Sequence, residues 1–143
     1  PSLRGGGLER VTADLSVALV QRGVIVGVFA MGGLGVHATR LAARGVRVRD
    51  CSGGRWRVRG YPARLIAELR SFGPDVIHAH SGTWLPARVA AMALRRSALI
   101  FTEHGRYPPE PWSRAAVERW CARGTAKIIA VSEATATYLQ SFL

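Results

Sequence analysis

The stretch GGGLER occupies residues 5–10 and is followed at once by a helical pattern of apolar residues. Glycine has no Cβ atom, so three in a row let the backbone turn sharply and approach a ligand closely. A helix that begins at residue 7 or 8 would direct its unpaired N–H groups and the positive end of its dipole into that turn. This arrangement suits an anion such as a phosphate, although a glycine cluster alone is more typical of a flexible entry into a helix.

The residues after this turn predict a helix and then a buried strand. Gly23 ends the helix predicted over 8–22, and the apolar run 24–30 predicts a strand covered on both faces. Apolar residues recur at spacings of three and four, which predicts that one helix face, formed by Leu8, Val11, Leu15, Ala18 and Leu19, is buried.

The rest of the chain continues this alternation. Further strands are predicted at 46–49, 75–80, 98–102 and 127–131, and further helices at 37–44, 61–72, 84–95, 112–123 and after Ser132. The alternation predicts an α/β fold with a doubly wound, mostly parallel, Rossmann-like sheet flanked by helices. A glycine turn of this kind belongs after a strand, so we expect the first strand to be missing and the chain to be a piece of a longer protein.

Polar residues follow two of the predicted strands. His78 and His80 end one strand and precede Ser81, while Thr102-Glu103-His104-Gly105 ends the next. In open parallel sheets the carboxyl edge is where ligands bind. Alternation places His78 and His80 on one face, which permits a metal pair, but no third ligand is evident and hydrogen-bonding histidines are favoured.

The formal net charge of +11 raises the question of nucleic-acid binding. Of the 20 basic residues 19 are arginine, and alanine, glycine and valine are abundant, as in proteins from GC-rich genomes. Such a bias raises the charge without selecting a partner, so nucleic acid is disfavoured. One arginine-rich segment, which we call the basic segment, surrounds Trp56 and contains Arg47, Arg49, Arg55, Arg57 and Arg59. It is interpreted either as a solvated edge of the fold or as a patch that faces an anionic membrane, and the solvated edge is slightly favoured.

Composition excludes several classes of protein. The chain has 143 residues, enough for one domain, and 48% of them are hydrophobic, which argues against disorder. The sequence shows neither an apolar run of roughly 20 residues nor a signal peptide, so we expect a cytoplasmic protein. Cys51 and Cys121 lack metal-ligand or disulfide spacing and are interpreted as ordinary thiols. The glycine spacing does not fit a dinucleotide-dependent oxidoreductase.

Four stretches together resemble the amino-terminal domain of family 4 glycosyltransferases. They are residues 1–10, 74–80, 102–105 and 129–135, and the resemblance extends over essentially the whole chain. It implies a retaining glycosyltransferase of GT-B architecture that moves a hexose from a nucleotide-diphosphate sugar to a glycan, lipid or small-molecule acceptor, as in cell-envelope or polysaccharide synthesis. Residues 1–143 would form the acceptor-side domain. The carboxyl-terminal, donor-binding domain would lie outside the chain, so these residues alone are expected to be inactive.

The resemblance also implies roles for individual residues. Gly5, Gly6 and Gly7 would lie against the donor diphosphate, and His104 would be the catalytic residue that reaches the transferring sugar. The acceptor side would include Arg10, His80, Ser81 and Glu103, with Arg10 turned either to an anionic acceptor or to solvent. No cofactor or metal is implied. Loops 50–60 and 103–112 would choose the acceptor, and a peripheral contact with the inner face of the cell membrane fits the basic segment.

A different class of function is also compatible with these residues. A Rossmann-like domain can hold an anionic ligand, and a basic surface can hold nucleic acid, without catalysing a reaction. Aromatic residues interleaved with arginine would favour single-stranded nucleic acid, but only the brief segment 55–57 has that character. The alternative hypothesis is therefore a non-catalytic module that binds an anion or a nucleic acid.

Overall fold

The computed structural model of the chain describes residue 3 and residues 6–52, 62–105 and 112–143. The chain divides into two compact units, Pro1–Phe72 and Gly73–Leu143. Each unit contains parallel strands flanked by helices, which confirms the predicted α/β, Rossmann-like class. In the described part of the chain no helix is long and apolar enough to cross a membrane.

The first unit has a two-stranded parallel sheet. Its elements are α1 (Gly7–Val20), β1 (Gly27–Ala30), α2 (His37–Ala42), β2 (Arg47–Asp50) and α3 (Ala63–Phe72). Strands β1 and β2 pair in register from Gly27 opposite Arg47 to Ala30 opposite Asp50. The side chains of β2 alternate between exposed arginines and half-buried Val48 and Asp50, as the sequence predicts for an edge strand.

Helix α1 does not bury the face that its apolar spacing predicted. Val11 and Leu15 are 49% and 36% exposed, while Ala13, Ser16 and Val17 are buried. The small side chains of this buried face let α1 approach its neighbours closely. The hydroxyl of Ser16 can be buried there because it donates to the Thr12 carbonyl oxygen at 2.7 Å. The unit's core includes Leu3, Ala13, Val17, Ala30, Leu41 and Val46.

The strand predicted over 24–30 is shorter than expected and is not covered at its start. Val24 donates its N–H to the Leu19 carbonyl oxygen at 3.1 Å and so completes the end of α1, where Gly23 has a φ of +80°. Ile25 is 87% exposed, and pairing with β2 starts when Arg47 donates to the Val26 carbonyl oxygen. Residues 24–26 therefore connect the end of α1 to the start of β1 and are not part of the strand.

The second unit has a three-stranded parallel sheet in the order β3-β4-β5. Its elements are β3 (Val76–His80), α4 (Trp84–Leu94), β4 (Ala98–Glu103), α5 (Trp112–Ala122), β5 (Lys127–Ala130) and α6 (Glu133–Gln140). Trp84 stacks on Phe101 with ring centroids 4.0 Å apart, which joins α4 to the middle strand. Ser132 caps α6 as predicted, since its hydroxyl oxygen accepts the N–H of Thr135 at 3.2 Å.

The register of this sheet sets the position of the polar strand ends. His80, the last residue of β3, lies opposite Thr102, the last residue but one of β4. Parallel strands end at the same edge, so the residues that follow β3 and β4 meet there. The sheet thus places the two predicted polar stretches side by side.

Candidate functional site

Three histidines form a row at the carboxyl edge of the second unit's sheet, and we call them the histidine cluster: His78, His80 and His104. The rings of His78 and His80 lie on one face with centroids 4.3 Å apart, as strand alternation predicts. The ring of His104 follows with its centroid 5.2 Å from that of His80. The cluster therefore joins residues from the ends of two neighbouring strands.

Hydrogen bonds fix the rings of the cluster. Nδ1 of His80 lies 3.0 Å from Nε2 of His104, and Nε2 of His78 lies 2.7 Å from Oγ1 of Thr102. The main chain of His80 is held by Thr83, which accepts the N–H of His80 at 3.2 Å and donates its hydroxyl to the carbonyl oxygen of His80 at 2.5 Å. Sequence reasoning missed Thr83 and the role of Thr102; the signal available was a threonine beside each polar strand end.

Burial keeps the three imidazoles neutral. It lowers the pKa of His80 to about 3, with smaller contributions from the neighbouring His78 and His104. Burial likewise lowers the pKa of His78, helped by His104. The pKa of His104 is also lowered by burial, against the opposing effect of the Glu103 carboxylate. Neutral rings can donate one hydrogen bond and accept another.

The geometry does not support a metal site at the histidines. Among the described residues, no group of three or more histidine, cysteine, aspartate or glutamate side chains could hold a metal ion. Nδ1 of His80 already takes part in the contact with His104, so this nitrogen is not open to a metal ion. This arrangement favours the hydrogen-bonding interpretation of the pair His78 and His80.

A buried carboxylate organises the loop after β4. Oε1 of Glu103 accepts hydrogen bonds from the Ser81 hydroxyl, from the N–H of His104 at 3.1 Å and from the N–H of Gly105 at 3.4 Å. The Ser81 hydroxyl oxygen also accepts the N–H of His104 at 2.8 Å. We call this set of contacts the glutamate clamp. The Glu103 side chain is 0% exposed, so it holds the loop from inside.

Gly105 completes this loop, because its φ of +145° is a conformation that other residues rarely adopt. The loop then places His104 at the surface, where the residue is partly exposed while His80 is 9% exposed. Nδ1 of His104 has no hydrogen-bond partner among the described residues. That nitrogen is the one available to a ligand.

The glycine turn lies in the first unit, and Gly5 falls outside the described residues. Gly6 is the N-cap of α1 and its carbonyl oxygen accepts the N–H of Arg10 at 3.0 Å. A Cβ atom added at Gly7 would meet nothing within 4 Å, so this side of the turn is open. At Gly6 an added Cβ atom would lie 2.5 Å from Oε2 of Glu9, which places that carboxylate beside the helix start. A negative group there is favourable to the helix dipole.

Arg10 extends from α1 into solvent, with its side chain 78% exposed. Its Nε atom lies 3.7 Å from Oδ2 of Asp14, and Arg40 donates to Oδ1 of the same carboxylate at 2.9 Å. These contacts match the solvent-facing alternative of the sequence analysis. The predicted site residues thus form a group in each unit: Gly6, Gly7 and Arg10 in the first, and His80, Ser81, Glu103 and His104 in the second.

Two predicted features lie mostly outside the described residues. Residues 53–61 and 106–111, which contain Arg55, Trp56, Arg57 and Arg59, belong to that part of the chain. Of the basic segment the structure describes Arg47 and Arg49. The guanidinium of Arg47 lies 5.2 Å from the centroid of the Phe72 ring, and Nε of Arg49 lies 3.3 Å from Oε2 of Glu68.

The two cysteines are buried and free. Burial is the main cause that raises the pKa of each thiol, Cys51 and Cys121 alike, to about 11. Both therefore stay protonated near neutral pH, which makes them unreactive core residues.

A comparison with protein families gives a match over most of the chain. The sequence model of Glycosyltransferase Family 4 matches residues 5–143, which includes the glycine turn and both polar strand ends. No curated protein and no solved structure shows significant similarity to the chain.

Proposed function

Because this chain belongs to glycosyltransferase family 4, we propose that it is the acceptor-side domain of a retaining hexosyltransferase. The donor is a nucleotide-diphosphate sugar, held mainly by a carboxyl-terminal domain outside these residues, and no cofactor takes part. The acceptor is a glycan, a lipid or a small molecule. Glycosyl transfer in general follows from family membership, whereas the donor, the acceptor and the stereochemical course are part of the proposal.

The observation that carries this proposal is the neutral His104 at the carboxyl edge of a parallel sheet. Its Nε2 is bonded to His80 while its Nδ1 is available, and the glutamate clamp fixes the main chain beneath it. A neutral imidazole in that position can orient a sugar hydroxyl or hold a hydrogen bond near the bond that breaks. His104 is accordingly the catalytic residue of the proposal, and Ser81 and Glu103 act by holding it.

The glycine turn supplies the second element, a binding site for the donor diphosphate. The start of α1 has no side-chain cap at Gly6, and the open space at Gly7 permits close approach of a phosphate to the positive end of the helix dipole. Negative charge develops on the leaving diphosphate, and fixed N–H donors stabilise that charge. Since the Glu9 carboxylate lies beside Gly6, it would have to turn away when the diphosphate arrives.

The proposed location is the cytoplasm, and a peripheral contact of the basic segment with anionic lipid at the inner face of the membrane is the alternative. The described arginines of the basic segment give this contact little support. Arg49 is paired with Glu68, and Arg47 lies on the Phe72 ring, so both have partners within their own unit. The contacts therefore support the solvated-edge interpretation for these two residues.

The test of the function is a transfer assay on the full protein that contains this chain. A panel of UDP-sugars and GDP-sugars is incubated with glycan, lipid and small-molecule acceptors, and products are identified by mass spectrometry. His104→Ala is expected to lower kcat at least 100-fold, because removal of a positioned acid–base or hydrogen-bonding group typically has an effect of about that size. The matched control is His37→Ala, in α2 of the first unit.

Two outcomes would contradict the proposal. Binding of nucleotide sugar without any transfer would favour the non-catalytic, anion-binding module. Transfer that is equally fast in the His104→Ala variant and in the control would remove the catalytic role of His104. Residues 1–143 by themselves are expected to show no transfer, and transfer by this segment alone would contradict the division of roles between two domains.

A further inference from the structure

His80 is almost completely buried, and its main chain and ring both have partners. It is 9% exposed, its main-chain N–H and carbonyl groups both bond to Thr83, and its ring lies between those of its two neighbours in the histidine cluster. Its Nδ1 atom is directed at Nε2 of His104, at 3.0 Å. These contacts fix the ring of His80 before any ligand binds.

A hydrogen bond between two neutral imidazoles couples their tautomers. One of the two nitrogens must carry a proton and the other a lone pair. Since Nε2 of His104 is one of the bonded atoms, the state of Nδ1 on that ring follows from the state of His80. When His80 donates, His104 carries its proton on Nδ1, and when His80 accepts, Nδ1 of His104 has the lone pair.

From this geometry we infer that His80 is a positioning residue, which fixes the ring orientation of His104 and couples its tautomer to that of His80, so that Nδ1 is the atom presented to the sugar. The inference rests on the proposed function for its catalytic consequence. It replaces the expected role of His80 as an acceptor contact.

Two substitutions at this position separate the hydrogen bond from packing. His80→Phe keeps a planar ring between the rings of His78 and His104 but removes the bonding nitrogen. His80→Asn places an amide near the position of Nδ1 that can donate or accept, and so restores a partner for His104. The control is His37→Phe, an equivalent change in the first unit.

The first measurement is made on the chain labelled with ¹⁵N-histidine and does not require activity. In the unmodified chain the ring-nitrogen chemical shifts are expected to show complementary states, with one of His80 Nδ1 and His104 Nε2 protonated and the other not. The His104 shifts are expected to change in His80→Phe, to stay closer to the original values in His80→Asn, and to be unchanged in the control. Equal protonation of the two nitrogens in the unmodified chain, or His104 shifts that do not change in His80→Phe, would overturn the inference.

The second measurement is the kinetics of the full protein. His80→Phe is expected to lower kcat about 10- to 100-fold, because misplacing a catalytic group has an effect of that order, while KM for the donor changes less than twofold. His80→Asn is expected to recover most of kcat. A rise in acceptor KM with unchanged kcat would instead show that His80 binds the acceptor. Loss of the proposed function would leave the tautomer result standing, so the two failures are distinguishable.

Discussion

The glycine turn at the start of α1 and the histidine cluster at the ends of β3 and β4 hold their groups in different ways. Gly6 has no side chain to cap the helix, and the space beside Gly7 is open. In the cluster, by contrast, side chains bond to one another and to the main chain. The turn is therefore open and shaped only by the backbone, whereas the cluster has one fixed arrangement of side chains.

This contrast indicates which of the two groups of residues tolerates change better. A substitution in the cluster removes a buried partner and leaves others unsatisfied, and such changes have large effects on stability. A substitution in the turn affects mainly backbone freedom and access, which have small effects. The following variants test this ordering, beginning with the largest effect.

The strongest test is removal of the carboxylate from the glutamate clamp. Glu103→Ala is expected to lower the free energy of unfolding by about 3 kcal/mol, because it leaves buried donors without their acceptor. Glu103→Gln retains an oxygen at the same place and is expected to lose less. Urea denaturation at neutral pH measures both, and Glu133→Ala in the exposed first turn of α6 is the control. Equal losses in Glu103→Ala and in the control would show that the clamp does not hold the loop.

The second test uses pH. The pKa values of His78, His80 and His104 are lower in the folded chain than the usual 6.5, so the unfolded chain binds more protons as pH falls. The contribution of these three neutral histidines to stability is fully present above pH 6.5. It declines as the pH falls from there towards about 3, the pKa of His80. The slope is about 1.4 kcal/mol per pH unit for each extra proton bound by the unfolded chain.

Denaturation midpoints between pH 7 and pH 5 measure this loss before most carboxylates titrate. His80→Phe is expected to have a shallower pH dependence of stability than the unmodified chain. A midpoint that stays constant over this range would mean that the three rings are not held neutral by burial.

The position of the histidine cluster could be predicted from sequence because two simple periodicities determine it. Strand alternation places His78 and His80 on one face, and parallel pairing brings the ends of β3 and β4 to one edge. The bond between His80 and His104 could not be predicted in this way. It depends on the register of the two strands and on the backbone at Gly105, which are tertiary properties.

The buried face of helix α1 could not be predicted from the sequence pattern. Periodicity correctly predicted a helix, but it identified the larger apolar stripe as buried, and Val11 and Leu15 are exposed. A sequence pattern shows that a helix has two faces, while the partner determines which face fits. Here the face with Ala13 and Ser16 allows close packing, and hydrophobicity alone does not contain that information.

The smallest expected effect on stability is at the glycine turn, and its sign is opposite. Gly7 is the first residue of α1 and an added Cβ atom would meet nothing within 4 Å, so Gly7→Ala is expected to raise the free energy of unfolding by about 0.5–1 kcal/mol. The same methyl group would obstruct a phosphate, and calorimetry of the full protein with UDP and GDP is expected to show weaker binding. Gly6→Ala is the companion variant, because there the Glu9 side chain must move. A more stable Gly7→Ala variant with unchanged nucleotide affinity would show that the turn is only an entry into the helix, whereas higher stability with weaker binding would show that open space at Gly7 is kept for an anion.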